Sequence, residues 1–295
     1  MTVLPGGFGQ VVDINNAGAM VGLSVDVALN FLRGAYWAGP TSAPQFLKGP
    51  TGQPCGAPDA INDRGEIVGF CSNSAAYWSS PGANAVLLGG ESGATGINEL
   101  GQIVGITRNT QFDSRPTLWH QEGTSFRAFD LGIPSSQDEG VAANVNNHGQ
   151  AVGTAIHEES GVGPVGVGVL WQIPVRVAVD VVPGAGTSVK MGGTGTVAAA
   201  LLGSPWFHAG DIDPGTLTLG NDNGTETPVA RKKGAPSTKL VDVDRDGDLD
   251  LVAEFDKQAM TRSGDLVAGQ QTLIVQGRLR DGTRLRGADQ VAGVR

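Results

Sequence analysis

The sequence predicts an all-β protein: a propeller-like array of four β-repeats, complete or partial, followed by an Ig-like β-sandwich. Three observations carry this. Glycine is abundant, 46 of 295 residues, and no long stretch shows helical periodicity, which suits short strands joined by tight turns. Four segments align: "DINNAGAMVG" (13–22), "AINDRGEIVG" (60–69), "GINELGQIVG" (96–105) and "NVNNHGQAVG" (144–153). Each is followed by a tryptophan, Trp37, Trp78, Trp119 or Trp171.

Within each copy the chemistry reads as a hairpin. Asn at the first turn position can accept from the backbone two residues on, and Gly at the fourth tolerates positive φ. Apolar residues alternate on both sides, as in "AIN…EIVG", so the flanking strands are half-buried. The last Gly of the motif marks a bulge or the close approach of another backbone. The strand ending in Trp then brings bulk to a core of small residues, and a Gly-rich link such as "LLGGESGATGIN" (87–98) leads on. Gly18, Gly65, Gly101 and Gly149 lie 47, 36 and 48 residues apart. That period belongs to propeller blades or β-solenoids. Blades are favoured, because link lengths vary while hairpin and Trp strand stay fixed. "LPGGFGQVVDIN" (4–15) matches the link, so the chain opens within a repeat. Either the last strand of a ring comes from elsewhere or further repeats lie upstream.

Cys55 and Cys71, the two cysteines, flank the hairpin centred on "NDRG". Folding that hairpin brings them near each other, in register for a disulfide or for two unpaired buried thiols. The histidines, at 120, 148, 157 and 208, show no metal-binding spacing, and no nucleophile elbow is present.

After "LWQIP" (170–174) the repeat stops, dividing the chain into domains 1–174 and 175–295. Short apolar or alternating runs follow: "VRVAVDVVPGAG" (175–186), "TVAAALLG" (196–203), "TLTLG" (216–220), "KLVDVD" (239–244), "LDLVAEF" (249–255) and "QTLIVQG" (271–277). "RLRDGTRLRG" (278–287) reads as a hairpin turning at Asp-Gly. About seven strands in this length fit a β-sandwich.

Within that domain "DVDRDGDLD" has the spacing of a calcium loop, D-x-D-x-D-G-x-x-D. Gly247 sets the register at the sharp turn. Asp242, Asp244 and Asp246 then take positions one, three and five. Asp248 offers its backbone carbonyl at position seven, and Asp250 binds directly or through water. Oxygen ligands in this number suit Ca²⁺ better than Mg²⁺, and Zn²⁺ would want His or Cys. Ala253 stands where a helical calcium hand places a bidentate Glu. The site is therefore expected between strands, with Leu249, Leu251, Ala253 and Phe255 on one strand face. Glu254, Asp211 or Asp213 could complete the shell. The alternative is an acidic, solvated turn.

The repeat residues resemble the bacterial HAF repeat, with its "A-I-N-x-x-G-Q-V-V-G", Trp-ending strand and "D-L-G-x-L-G-G" link. "GINELGQIVG" and "FDLG" (129–132) fit it well, and the first copy departs, with "AM" for "QV". The resemblance covers roughly residues 1–173. It implies a secreted or surface β-repeat module and carries over no catalytic residue. Residues 175–295 resemble a C-terminal module of exported bacterial multidomain proteins, in "VDVVPG", "VAAALLGSPWF", "DIDPGTLTLG", "VDVDRDGDLDLVAEF" and "LRDGTRLRGAD". That resemblance implies a β-sandwich with a structural metal.

A net charge of −9 without a basic stripe argues against nucleic acid, and no apolar run is long enough to span a membrane. "MTVLPGGFGQ" lacks the features of a signal peptide. The expected function is that of a non-enzymatic, secreted or cell-surface protein whose repeats serve binding, adhesion or display, with a glycan or cell-surface protein as partner. The alternative is a carbohydrate-active enzyme or lectin. Its site would lie on the repeat loops, among Glu91, Asp113, Glu122, Asp138, Glu139, Glu158 and Glu159, including "HQEGTSF" (120–126) and "HEESGVG" (157–163).

Overall fold

The computed structural model describes residues 2–6, 9–122, 125–184 and 186–294. The chain divides into two compact units, Met1–Trp171 and Gln172–Arg295. Both are built almost wholly of strands in small antiparallel sheets, with no closed barrel among the described residues.

In the first unit each sequence repeat is one sheet. Strands β1 (Gly9–Ile14), β2 (Met20–Asp26), β3 (Phe31–Trp37) and β4 (Gln45–Phe46) form the first, paired antiparallel in chain order. Strands β5 (Ala57–Ile61), β6 (Ile67–Cys71), β7 (Ser74–Trp78) and β8 (Val86–Leu87) form the second. The third holds β9 (Ser92–Ile97), β10 (Ile103–Arg108), β11 (Ser114–Glu122) and β12 (Ser125–Asp130). The fourth has three strands, β13 (Glu139–Val145), β14 (Gln150–Glu159) and β15 (Gly163–Gln172).

The repeat motif is the turn between the first two strands of every sheet. In the third copy Asn98 Oδ1 accepts from Leu100 N at 3.0 Å and Gln102 N at 2.9 Å. Gly101 closes the turn at φ 71°, a backbone geometry that an L side chain strains. Asn15, Asn62 and Asn146 accept the same pair of backbone bonds in their own turns. The motif's final Gly faces a β-bulge. In the third sheet the register slips as β10 passes from Val104 to Gly105, and a Cβ on Gly105 would lie 2.0 Å from the Gly93 carbonyl oxygen. Gly22, Gly69 and Gly153 meet the equivalent carbonyl at 1.9, 2.2 and 1.9 Å. Both readings of that Gly, bulge and close approach, therefore hold together: the bulge is what brings the carbonyl over the glycine.

The sheets pack serially, each on the next. Ala19 and Val21 of the first share a core with Ile61, Ile67, Ala76 and Trp78 of the second. Ala60, Val68 and Tyr77 of the second share one with Ala94, Ile97, Ile103 and Trp119 of the third. Trp78 and Trp119 thus pack toward the preceding repeat, while Trp37 packs against Leu4 and Phe46. Side-chain amides link the turns across these cores. Asn15 Nδ2 donates to the carbonyl of Asn62 at 3.1 Å, Asn62 Nδ2 to that of Asn98 at 3.1 Å, and Asn98 Nδ2 to that of Asn146 at 2.8 Å. Cys55 and Cys71 are joined as a disulfide, with Cα atoms 5.6 Å apart, which settles the open alternative at that hairpin.

The second unit opens with β16 (Val175–Arg176), β17 (Val179–Val181), β18 (Ser188–Lys190), β19 (Thr196–Leu201), β20 (Ile212–Gly220), β21 (Thr227–Pro228), β22 (Arg231–Lys232) and β23 (Ala235–Pro236). It continues with β24 (Thr238–Val241), β25 (Asp250–Asp256), helix α1 (Lys257–Ser263), β26 (Gly269–Leu279) and β27 (Arg284–Val294). One sheet runs β16-β27-β26-β20-β21 with β18 also on β27; another runs β17-β19-β25-β24; β22 and β23 pair separately. The strands are more numerous than the seven runs expected, because several pair over only two or three residues. The Asp-Gly hairpin is present, with Gly282 at φ 91° joining β26 to β27. Helix α1 starts where the Asp256 side chain accepts from Ala259 N and stops at Gly264, which takes the left-handed conformation.

One local expectation changes. Leu249 is not part of the strand face: β25 begins at Asp250, and Leu249 is exposed. Leu251, Ala253 and Phe255 are buried, but so are Asp250 and Val252 on the other face. β25 is an inner strand, hydrogen-bonded to β19 on one edge and β24 on the other, with buried side chains on both faces.

Candidate metal centre

The acidic segment is the loop of a hairpin. Val241 on β24 pairs with Asp250 on β25, so residues 242–249 turn between the two strands. Arg245 at φ 67° and Gly247 at φ 100° make the turn tight. Space around Gly247 is open, so its requirement is conformational.

This turn brings Asp242, Asp244 and Asp250 together: one carboxylate oxygen from each lies within 4.8 Å of the others. Asp250 is fully buried, Asp242 half-buried and Asp244 exposed, so the group opens outward from the base of the loop. Asp250 anchors it. Its Oδ1 accepts from Gly203 N at 2.8 Å and its Oδ2 from Val243 N at 2.6 Å, a pairing that makes a buried carboxylate tolerable. Asp242 accepts from Arg245 N at 2.6 Å and Gly247 N at 3.2 Å. Lost hydration holds the Asp244 carboxyl above its ordinary range, a bond from the Asp246 amide opposes this, and repulsion from Asp246, Asp250 and Asp242 adds to it. The donor set is three carboxylates with no nitrogen or sulfur, which fits a hard divalent cation.

Other side chains expected at the site are placed differently, and Asp248 is expected there through its backbone carbonyl alone. The Asp246 carboxylate is exposed and accepts from Asp248 N at 2.9 Å, and neither Asp246 nor Asp248 joins the group through its carboxylate. Glu254 is committed elsewhere, accepting from Lys232 Nζ at 2.7 Å and Ser237 Oγ at 2.6 Å; the lysine contact, ahead of the serine bond, holds its carboxyl below the usual range. Asp213 accepts from Gly215 N, and the carbonyl of Asp211 accepts from Arg280 N. None of these three belongs to the group. The residue missed in the sequence is Gly203. A Cβ there would lie 2.4 Å from the Leu249 carbonyl oxygen, so only glycine lets its N–H reach Asp250. "LLGSP" carries no signal of that partnership, which depends on β19 lying beside β25.

In the repeat unit, Glu91 lines a shallow cleft with Phe70, Asn73, Ser92, Gly93, Ile106 and Arg108. Glu139 accepts from Ser114 N, and Asp113 from Asn109 Nδ2. Within "HQEGTSF", Gly123 and Thr124 lie outside the described residues, as does the side chain of Glu122. No helix among the described residues is long and apolar enough to cross a membrane. Comparison of the chain with protein-family models, with curated proteins and with solved structures finds no match.

Proposed function

We propose that this chain is a non-enzymatic, secreted or cell-surface β-repeat protein whose C-terminal module is stabilised by Ca²⁺ at the 242–250 loop. The observation that carries the proposal is the convergence of Asp242, Asp244 and Asp250 within 4.8 Å on a loop anchored from inside by a buried carboxylate. The Cys55–Cys71 disulfide supports an oxidising compartment. In this reading the repeats form a propeller-like array and the second unit an Ig-like sandwich. The array displays loops to a glycan or a surface protein. A cation would be held by the three carboxylates and would neutralise their repulsion, favouring the folded module by mass action.

The test is calcium titration by calorimetry together with thermal melting of the intact chain. Binding near one equivalent and a rise in one melting transition support the reading. Asp244→Ala should abolish both effects. Asp246→Ala should leave most of the binding, because that carboxylate stands outside the group. Unchanged melting after chelation and calcium addition would sink the proposal.

The Glu91 cleft favours a second reading, a lectin. An exposed aromatic, an amide and two side chains of opposite charge suit a polar ring with an apolar face. One carboxylate lines the cleft, whereas hydrolysis of a glycosidic bond uses two. A glycan array read for both binding and hydrolysis separates the cases: binding lost on Phe70→Ala supports a lectin, and turnover supports the enzyme.

A further inference from the structure

The inter-repeat contacts form a series with two unlike ends. The first three turns use the Asn amide as donor toward the next repeat, and the last three use the Asn carbonyl as acceptor from the previous one. The residue after the Asn repeats this polarity. Asn16 N donates to the Asp63 carboxylate at 2.7 Å, Asp63 N to Glu99 at 3.0 Å, and Glu99 N to Asn147 Oδ1 at 2.9 Å.

At the last repeat the donors face outward. Asn146 Nδ2 donates to Gln150 within its own turn at 2.9 Å and, among the described residues, to no further Asn carbonyl. At the first repeat the acceptors face outward. The Asn15 carbonyl accepts the Gly18 N–H of its own turn and, among the described residues, no side-chain amide.

Burial shows the same two ends. The motif valine that meets the following repeat is 0% exposed at Val21, Val68 and Val104, but 48% exposed at Val152. The aliphatic residue that meets the preceding repeat is 6–7% exposed at Ile61, Ile97 and Val145, but 60% exposed at Ile14. Leu170 beside Val152 and Val12 beside Ile14 enlarge the two apolar patches. Trp37 is already covered by Leu4 and Phe46, so the open part of the first repeat is the corner from Ile14 to Asn16.

We propose that the two ends bind each other between molecules: the Asn146–Val152 end of one chain seats on the Ile14–Asn16 end of a second copy. This extends the contact that already joins successive repeats. Donors meet acceptors and an exposed valine meets an exposed isoleucine, as Val21 and Ile61 share one core within the chain. An end-to-end contact between unlike surfaces is heterologous, and it builds rings or filaments rather than two-fold dimers. The contact joins a few apolar side chains with polar groups, so association depends on concentration.

Sedimentation velocity of the full chain over a concentration series tests this. The wild type should gain mass with concentration and pass beyond the dimer. Ile14→Asp blocks one end and Val152→Asp the other. Both side chains are exposed, so circular dichroism and melting should match the wild type. Each variant alone should stay at the mass of one chain. Their equimolar mixture should form dimers and stop there, since each molecule then has one working end. A wild type that remains a single chain throughout would overturn the proposal. So would a variant that associates as the wild type does, or one that dimerises by itself, which is the mark of a two-fold contact through another surface.

Discussion

The side-chain amide of Asn62 donates to the backbone carbonyl of Asn98, 36 positions further on, at 3.1 Å. One residue type thereby does two jobs. Its oxygen builds the local turn and its nitrogen ties that turn to the next. The bond is buried, so an unmade partner would carry its full desolvation cost.

Replacing an inner member of this series should therefore cost more than replacing the last. Asn98→Ala removes two backbone caps, the bond to Gln102 and the link to Asn146. Asn146→Ala removes two caps and the bond to Gln150. We expect a loss of about 3 kcal/mol for Asn98→Ala and about 1–2 kcal/mol for Asn146→Ala, read from urea midpoints. Equal losses would argue that the link between turns contributes nothing.

Two kinds of glycine should separate in the same way. Gly105→Ala drives a Cβ into a backbone carbonyl that cannot yield, and the loss should be on the order of 3 kcal/mol. Gly18→Ala meets no neighbour and bears only its φ of 79°, so the loss should be about 1 kcal/mol. Thermal melts of both variants check the order.

The repeat tryptophans differ in one bond. Trp78 Nε1 donates to the Lys48 carbonyl at 2.7 Å, while Trp119 Nε1 is buried without a partner among the described residues. Trp78→Phe and Trp119→Phe shrink the side chain equally. Trp78→Phe should therefore cost about 1 kcal/mol more, the worth of a buried bond and its stranded carbonyl. A reversed order in denaturant melts would refute this.

Acid should weaken the first repeat through Asp26. The Arg33 guanidinium contacts its carboxylate at 2.5 Å, and that bond holds the carboxyl below its ordinary range; burial opposes it, and the amides of Ala28 and Leu29 assist. Because the folded value is depressed, the contribution is present above the unfolded value and is lost as pH falls through the folded one. In urea melts taken from neutral pH downward, the wild-type midpoint should fall more steeply below about pH 4 than that of Asp26→Asn. Parallel curves would show that the pair gives no acid-sensitive stability.

The sequence alone determined whatever depends on neighbours along the chain. Asn, then Gly three residues later, specifies the turn, since one needs an oxygen two residues behind an amide and the other a positive φ. Apolar alternation beside the turn specifies strands, although β2, β6 and β10 each open with three successive buried residues rather than one covered face. The aspartates with Gly247 specify a tight acidic loop between strands. Tertiary structure decided what depends on residues far apart. Whether Asp246 or Asp250 stands beside Asp242 and Asp244 is set by Gly203 and Val243, whose amides hold Asp250 inward. Whether Glu254 could serve a metal is set by Lys232 and Ser237. Val152 reads like Val21, Val68 and Val104 in its motif, yet it alone of the four is exposed. A side chain's burial depends on what is packed against it, and the motif encodes the surface but not its neighbour.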